Sequence, residues 1–348
     1  MAYTTIDNGE EHFNTVTYTG TGSSRSITGL EFGPDWVWIK RRNGAYSHYL
    51  YDSTRGTGKQ LYAEKLDAEA TDNTEVTAFN SDGFSLGSGS GTNENTNTQV
   101  AWCWKANGGT TSSNTNGDVT STVQANTTAG FSIVTWTSTG GNESVGHGLG
   151  VTPNWFITKN RSAGANWKVY HDKNTSAPQT DNLSLNKTDA TQDDAAAWND
   201  TAPTSTTFTV GTDAGSGGSN GNNMIAYCFS KIQGYSKFGS YTGNGNADGT
   251  FVYTGFKPAW VMIKHSSGTS NWTINDVARD PTNVNNLRLF PNQNVAENSG
   301  SDSMDMLSNG FKFRSTDSGN NGSGATYVYM AFAEHPFVSS KGVPVTAR

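Results

Sequence analysis

The chain is 348 residues long with a formal net charge of −7; 33% of its residues are hydrophobic and 15% charged. This balance excludes a nucleic-acid binder, since phosphate recognition takes several distributed cations and the compact basic cluster here, Lys40-Arg41-Arg42, reads as a solvated strand end. Cys103 and Cys228 are too few for a disulfide scaffold, no apolar run approaches the ~18 residues of a membrane span, and Met1–Thr5 has neither a basic nor an apolar signal region, so a soluble protein made in a cytoplasm is expected.

Forty glycines among many Thr, Ser and Asn residues, with 13 Tyr, 16 Phe and 10 Trp, suit an all-β protein rich in turns. A Pro-x-Trp-x-x-x-Lys frame occurs three times, at Pro34–Lys40, Pro153–Lys159 and Pro258–Lys264. Repeats this far apart are whole modules in tandem. In chain order each module opens on a strand ending in a turn: Thr15–Gly20, Ile133–Ser138 and Gly239–Gly243. A second short strand leads to the frame. Alternation within the frame puts Trp36, Trp38 and Lys40 on one face and Val37 and Ile39 on the other, so both faces are expected to be covered. The lysine is expected to bury its stem and keep its charge in water.

A third strand carries Ser47–Asp52, Trp167–Asp172 and Trp272–Asp276. After a variable polar loop come Asp82–Leu86, Thr207–Val210 and Asn309–Phe313, two of them entered through Asp-Gly or Asn-Gly turns. Each module closes on Val100–Trp104, Ile225–Phe229 or Val328–Phe332, with large residues on one face and mostly small ones on the other, as expected inside a two-sheet sandwich. Short helices are expected at Gln60–Lys65 and Asp193–Trp198. The fold class expected is all-β, with three tandem β-sandwich modules of one repeated type, jelly roll rather than immunoglobulin-like.

The expected boundaries are an N-terminal arm plus first module over 1–105, a Thr/Ser/Asn/Gly stretch over 106–130, modules over 131–232 and 233–338, and a tail over 339–348. The 106–130 stretch reads either as a linker or as a solvated edge strand. The short junction Ile232–Lys237 is expected to fix the second module against the third, and the arm Met1–Glu11 to mark the anchoring end.

Comparison of the three copies removes shared catalytic groups. Cys103 and Cys228 face Ala331 in the third copy and read as small core residues, while the six histidines show no metal-ligand spacing. His147, in His147-Gly148-Leu149-Gly150, has no counterpart in the other modules. Asp52-x-x-Arg55 and Asp276-x-x-Arg279 read as structural ion pairs at strand ends. No nucleophile elbow, phosphate loop or dinucleotide fingerprint is present, so no catalytic residue, metal or cofactor is expected. The remaining candidates are Tyr46, Trp167, Trp198 and Trp272, aromatics in or beside polar loops and suited to stacking on sugar faces.

Several stretches carry a resemblance: Ala2–Asp7, Gly33–Lys40, Ala125–Val134, Tyr235–Gly245 and Ala331–Phe337. Through them nearly the whole chain resembles virion-associated proteins of tailed bacteriophages, especially marine and cyanobacterial ones, which look like lectin-like sandwich arrays. The resemblance implies a non-enzymatic virion protein released on lysis. Its expected partners are tail or capsid proteins, further copies of itself, and host-surface saccharide, with no nucleic acid and no membrane. A tail-fibre or adhesin component is the first expectation and a capsid-decoration or accessory protein the second. A polysaccharide-degrading enzyme is the third. Fibres usually carry long coiled-coil or β-helical shafts, and the absence of a heptad run points to a globular attachment.

Overall fold

The computed structural model describes residues 3–345; residues 1–2 and 346–348, which belong to the expected arm and tail, lie outside it. The chain is all-β, with 43% of residues in strands and 3% in helices. One strand order recurs in each repeat unit: opening, closing, frame, third. In the first unit these are Phe13–Thr19, Thr98–Trp104, Trp36–Arg41 and His48–Asp52. In the second they are Phe131–Thr137, Asn223–Phe229, Trp155–Asn160 and Lys168–His171. In the third they are Ser236–Thr242, Thr326–Pro336, Phe256–His265 and Trp272–Asp276. Each unit adds a smaller sheet of two to four strands.

The two faces of these strands have different destinations. Val37, Ile39, Ala101 and Cys103 face the first unit's own smaller sheet and pack with Ile27, Phe84 and Leu86. Phe156, Ala226 and Cys228 do the same against Phe208 and Val210, and Val261, Ile263 and Ala331 against Phe311 and Phe313. The large residues turn the other way. Trp36, Trp38, Trp102, Trp104, Trp155, Tyr227, Phe229, Trp260, Met330 and Phe332 belong to one continuous core to which all three units contribute. Trp36 stacks on Tyr227 with ring centroids 4.3 Å apart, Phe13 on Phe332 at 5.0 Å, and Trp104 meets Trp260 edge-on at 5.8 Å. The expectation that the large face of the closing strand fills its own sandwich is corrected here. A two-layer unit has one interior, so a second apolar face must be covered from outside, and the other two units cover it.

The seams between units repeat as well. The amide of Glu69 donates to the Arg161 carbonyl at 2.9 Å, that of Thr191 to Ser266 at 2.8 Å, and that of Glu297 to Arg42 at 2.6 Å. A loop of the first unit therefore docks on the frame strand of the second, one of the second on the third, and one of the third back on the first. The frame lysine joins each seam. Lys159 Nζ donates to the Leu66 carbonyl at 2.8 Å, Lys264 Nζ to Thr188 at 2.9 Å, and Lys40 Nζ to Asn294 at 3.4 Å. These lysines are fully buried, against the expectation of a charge in water. Burial pulls all three down to about 8.

The basic cluster is likewise no solvated strand end: Arg41 pairs with Glu94 at 2.5 Å and Arg42 with Glu297 at 2.8 Å. The 106–130 stretch is no free linker. Ser121–Asn126 pairs with the opening strand of the second unit over six positions, Ser112–Asn114 pairs with it in turn, and Asp35 of the first unit accepts from the amides of Ala106, Gly108 and Gly109. The segment expected as a helix at Gln60–Lys65 is a strand over Lys59–Tyr62, because it pairs with Tyr49 and Leu50. The second expected helix forms over Ala195–Trp198, capped by the Asp194 side chain. The N-terminal arm packs on the third unit and the tail: Tyr3 donates to the Gly255 carbonyl at 2.7 Å, and Asp7 accepts from Ser340 of the tail.

Candidate functional site

Strand pairing fixes which residues correspond between units. Trp36 lies opposite Asp52, Trp155 opposite His171 and Trp260 opposite Asp276. His171, not Asp172, is therefore the counterpart of the two aspartates, one position away from the match suggested by the sequence. Both aspartates hold the arginine three residues on, with Nε to Oδ2 distances of 2.5 Å, and all four side chains are fully buried. Each aspartate also accepts across a seam. Tyr227 Oη donates to Asp52 Oδ2 at 2.7 Å and Trp102 Nε1 to Asp276 Oδ2 at 2.9 Å.

In the second unit the donor at this position would come from Met330, which has none. There the carboxylate is replaced by His171, whose Nε2 reaches the Tyr329 carbonyl at 3.1 Å while Nδ1 accepts from the Lys173 amide at 2.9 Å. The imidazole is thus held neutral with the proton on Nε2. Burial draws it below the usual histidine range despite the neighbouring Asp172.

Three of the four expected stacking residues are corrected. Trp167, Trp198 and Trp272 are fully buried and offer no exposed face. Trp167 Nε1 donates to the Tyr62 carbonyl of the first unit at 2.8 Å, and Trp272 Nε1 to Ser184 of the second at 2.9 Å, so both are seam residues. Their polar-looking loops are the docking loops. Trp198 lies inside the second unit against Phe156 and donates to the Asp181 carbonyl at 3.0 Å. Tyr46 is half-buried, and the Arg41 guanidinium covers its ring at 3.4 Å.

The nucleophilic and basic side chains in the interior are also engaged structurally. Burial raises the thiols of Cys103 and Cys228 well above the ordinary cysteine range. His147 accepts from the Leu149 amide and reaches the Thr204 carbonyl, and burial lowers it to about 4.

A groove of about 790 Å³ on the third unit is open to solvent. It lies where the long frame and closing strands of that unit run past the smaller sheet. Lys257 and Glu334 pair across these strands at 2.7 Å, and His335, Asp280, Met306 and Leu307 share the lining. Asn283 forms one wall, tied to Met306 by two hydrogen bonds of 3.1 and 2.9 Å. Nearby, Phe251 and Tyr253 are 43% and 49% exposed on the edge strand Phe251–Tyr253. The sequence reading missed both. The signal was available by comparing the strand that pairs with each Phe84, Phe208 and Phe311 segment, rather than by looking for aromatics in loops.

The family model described as a domain of unknown function, DUF7483, matches residues 8–336. The chain belongs to the DUF7483 family. The match runs from the N-terminal arm to the last residue of the third closing strand, so the DUF7483 domain comprises all three units and their seams. No curated protein matches the chain.

Proposed function

We propose that this chain is a non-catalytic structural protein of a tailed-bacteriophage virion, made of three lectin-like sandwich modules and serving as a tail-fibre or adhesin component at the host surface. The observation that carries this reading is where the repeated chemistry lies. The frame lysines, seam tryptophans and Asp52, His171 and Asp276 join one unit to the next, leaving the solvent-facing positions at which the units differ as the contact surface. Buried, hydrogen-bonded histidines and cysteines with raised pKa support the non-catalytic part of the reading.

A second reading, a decoration or accessory protein on the capsid or tail, draws support from the closed ring of seams. Three like units around one axis present like surfaces in threefold relation, which fits a threefold site on a particle. Antibody labelling of intact particles tests both readings. Label at the host-contacting end of the tail is expected from the first and label on the head from the second. Purified particles without the protein would contradict both.

A further inference from the structure

The three units serve as internal controls for one another at the surface. In the smaller sheets, Phe84 pairs with Ile27, Phe208 with Val145 and Phe311 with Val252, and all six are buried. The residues on either side of the buried partner face away from the unit's own core. In the first unit they are Ser26 and Thr28, in the second Ser144 and Gly146, and in the third Phe251 and Tyr253. One framework position therefore carries small residues twice and a pair of large exposed rings once. The core of the smaller sheet does not call for these rings: the first unit leaves this face bare, the second covers it with Asn114 and Asp118, and in the third the Tyr253 hydroxyl meets Tyr3 of the N-terminal arm while Phe251 is left without such a cover.

The rings are held in place. Tyr253 pairs with Gly310, which pairs in turn with Leu307, so Tyr253 and Leu307 flank a glycine in one cross-strand row. A Cβ at Gly310 would lie 3.0 Å from Phe251 Cε2, so the ring of Phe251 leans over that glycine. Lys237 Nζ donates to the Tyr253 carbonyl at 2.7 Å and lies 5.1 Å from the ring centroid, which pins Tyr253 from one side. Leu307 also lines the 790 Å³ groove, two strand spacings (about 10 Å) from Tyr253. An apolar shelf and a polar groove thus adjoin.

We propose that this shelf and groove form a saccharide-binding site of the third unit, with Phe251 and Tyr253 stacking on the C–H faces of sugar rings and the groove taking up hydroxyl groups. The chemistry favours this ligand class. A sugar offers an apolar face and a polar rim on the same ring, which matches exposed aromatics beside donors and acceptors. Lys257 supplies donors, and Glu334 and Asp280 supply acceptors. Two carboxylates against one lysine disfavour phosphate, and an apolar peptide would have to bury all three charges.

The site rests on the host-contact reading, and its test is separable from it. The full chain is titrated with oligosaccharide fragments of bacterial O-antigen and capsule, alongside Phe251→Ser, Tyr253→Thr and the double variant. These replacements are the residues that the first unit carries at the same positions, so Phe251→Ser is expected to keep the wild-type thermal midpoint and Tyr253→Thr, which gives up ring contacts to Lys237 and Tyr3, to lower it slightly while staying folded. Wild type is expected to bind, with each single change weakening binding about 2- to 10-fold and the double change abolishing it. Absence of binding to every fragment by wild type, or equal binding by the double variant, would overturn the site. So would conversion of an oligomer to a smaller species by the double change, which would make the shelf an interface between copies. Label at the tail tip together with unaltered binding by the double variant would refute the site and leave the host-contact reading standing. Loss of binding together with label on the head would do the reverse.

Discussion

Lys159 shows what single residues do in this molecule. Its ammonium is enclosed by the carbonyls of Lys65, Leu66 and Ala165, two of them in the neighbouring unit. A buried charge of this kind is tolerated because its donors are satisfied, and removing the cage would strand it. The buried histidines follow the same rule in the neutral form. His147 folds with its pKa lowered to about 4, and His171 is lowered too, whereas unfolded histidine titrates near 6.5. Between about 6.5 and 4 the unfolded chain binds more protons than the folded one, so stability present above 6.5 is lost as the pH falls through that window. The thermal midpoint is expected to drop from pH 7.5 to pH 4.5, and His147→Gln to flatten part of that slope. A midpoint independent of pH in both proteins would refute the assignment of neutral, buried rings. The burial of Trp36, Trp155 and Trp260 was legible in the sequence because alternation put apolar residues on both strand faces. Trp167 and Trp272 misled because docking loops are polar at their exposed atoms and place a ring beneath them.

At the scale of elements, strand type and order were largely legible, since β-branched and aromatic runs end at glycine turns three times over. Register was not. In the sequence stretches that end on aspartate, Asp172 stands level with Asp52 and Asp276, whereas strand pairing puts His171 where the other units hold an aspartate and its arginine. The exchange has a physical logic: Met330 donates no hydrogen bond, so the opposite position carries a group that donates one itself. His171→Asp would bury a carboxylate with neither an arginine nor a cross-seam donor, and is expected to cost about 3 kcal/mol or more in denaturant unfolding. Adding Met330→Tyr, which supplies the hydroxyl that Tyr227 gives Asp52, is expected to recover about 1 kcal/mol or more of that loss. Strictly additive effects of the two changes would refute the pairing of these positions.

The whole molecule was the least legible scale. Composition and spacing say that a unit repeats, but nothing in one unit's pattern says that its large aromatic face is covered by the other two. That information is split among Trp36, Tyr227, Trp260 and Phe332, which are far apart in sequence and meet in one core. The 106–130 stretch, poor in apolar residues, is held against the first unit by polar contacts: Asp35 accepts from three of its amides, and its Gln124 donates to Ser53 and Thr54. The claim on which the rest depends is that three repeats make one cooperative body around a shared core. Scanning calorimetry of the full chain at neutral pH tests it most directly. A single transition, with equal calorimetric and van't Hoff enthalpies, is the expected result. Two or three separable transitions, each with the enthalpy of a ~110-residue unit, would contradict it.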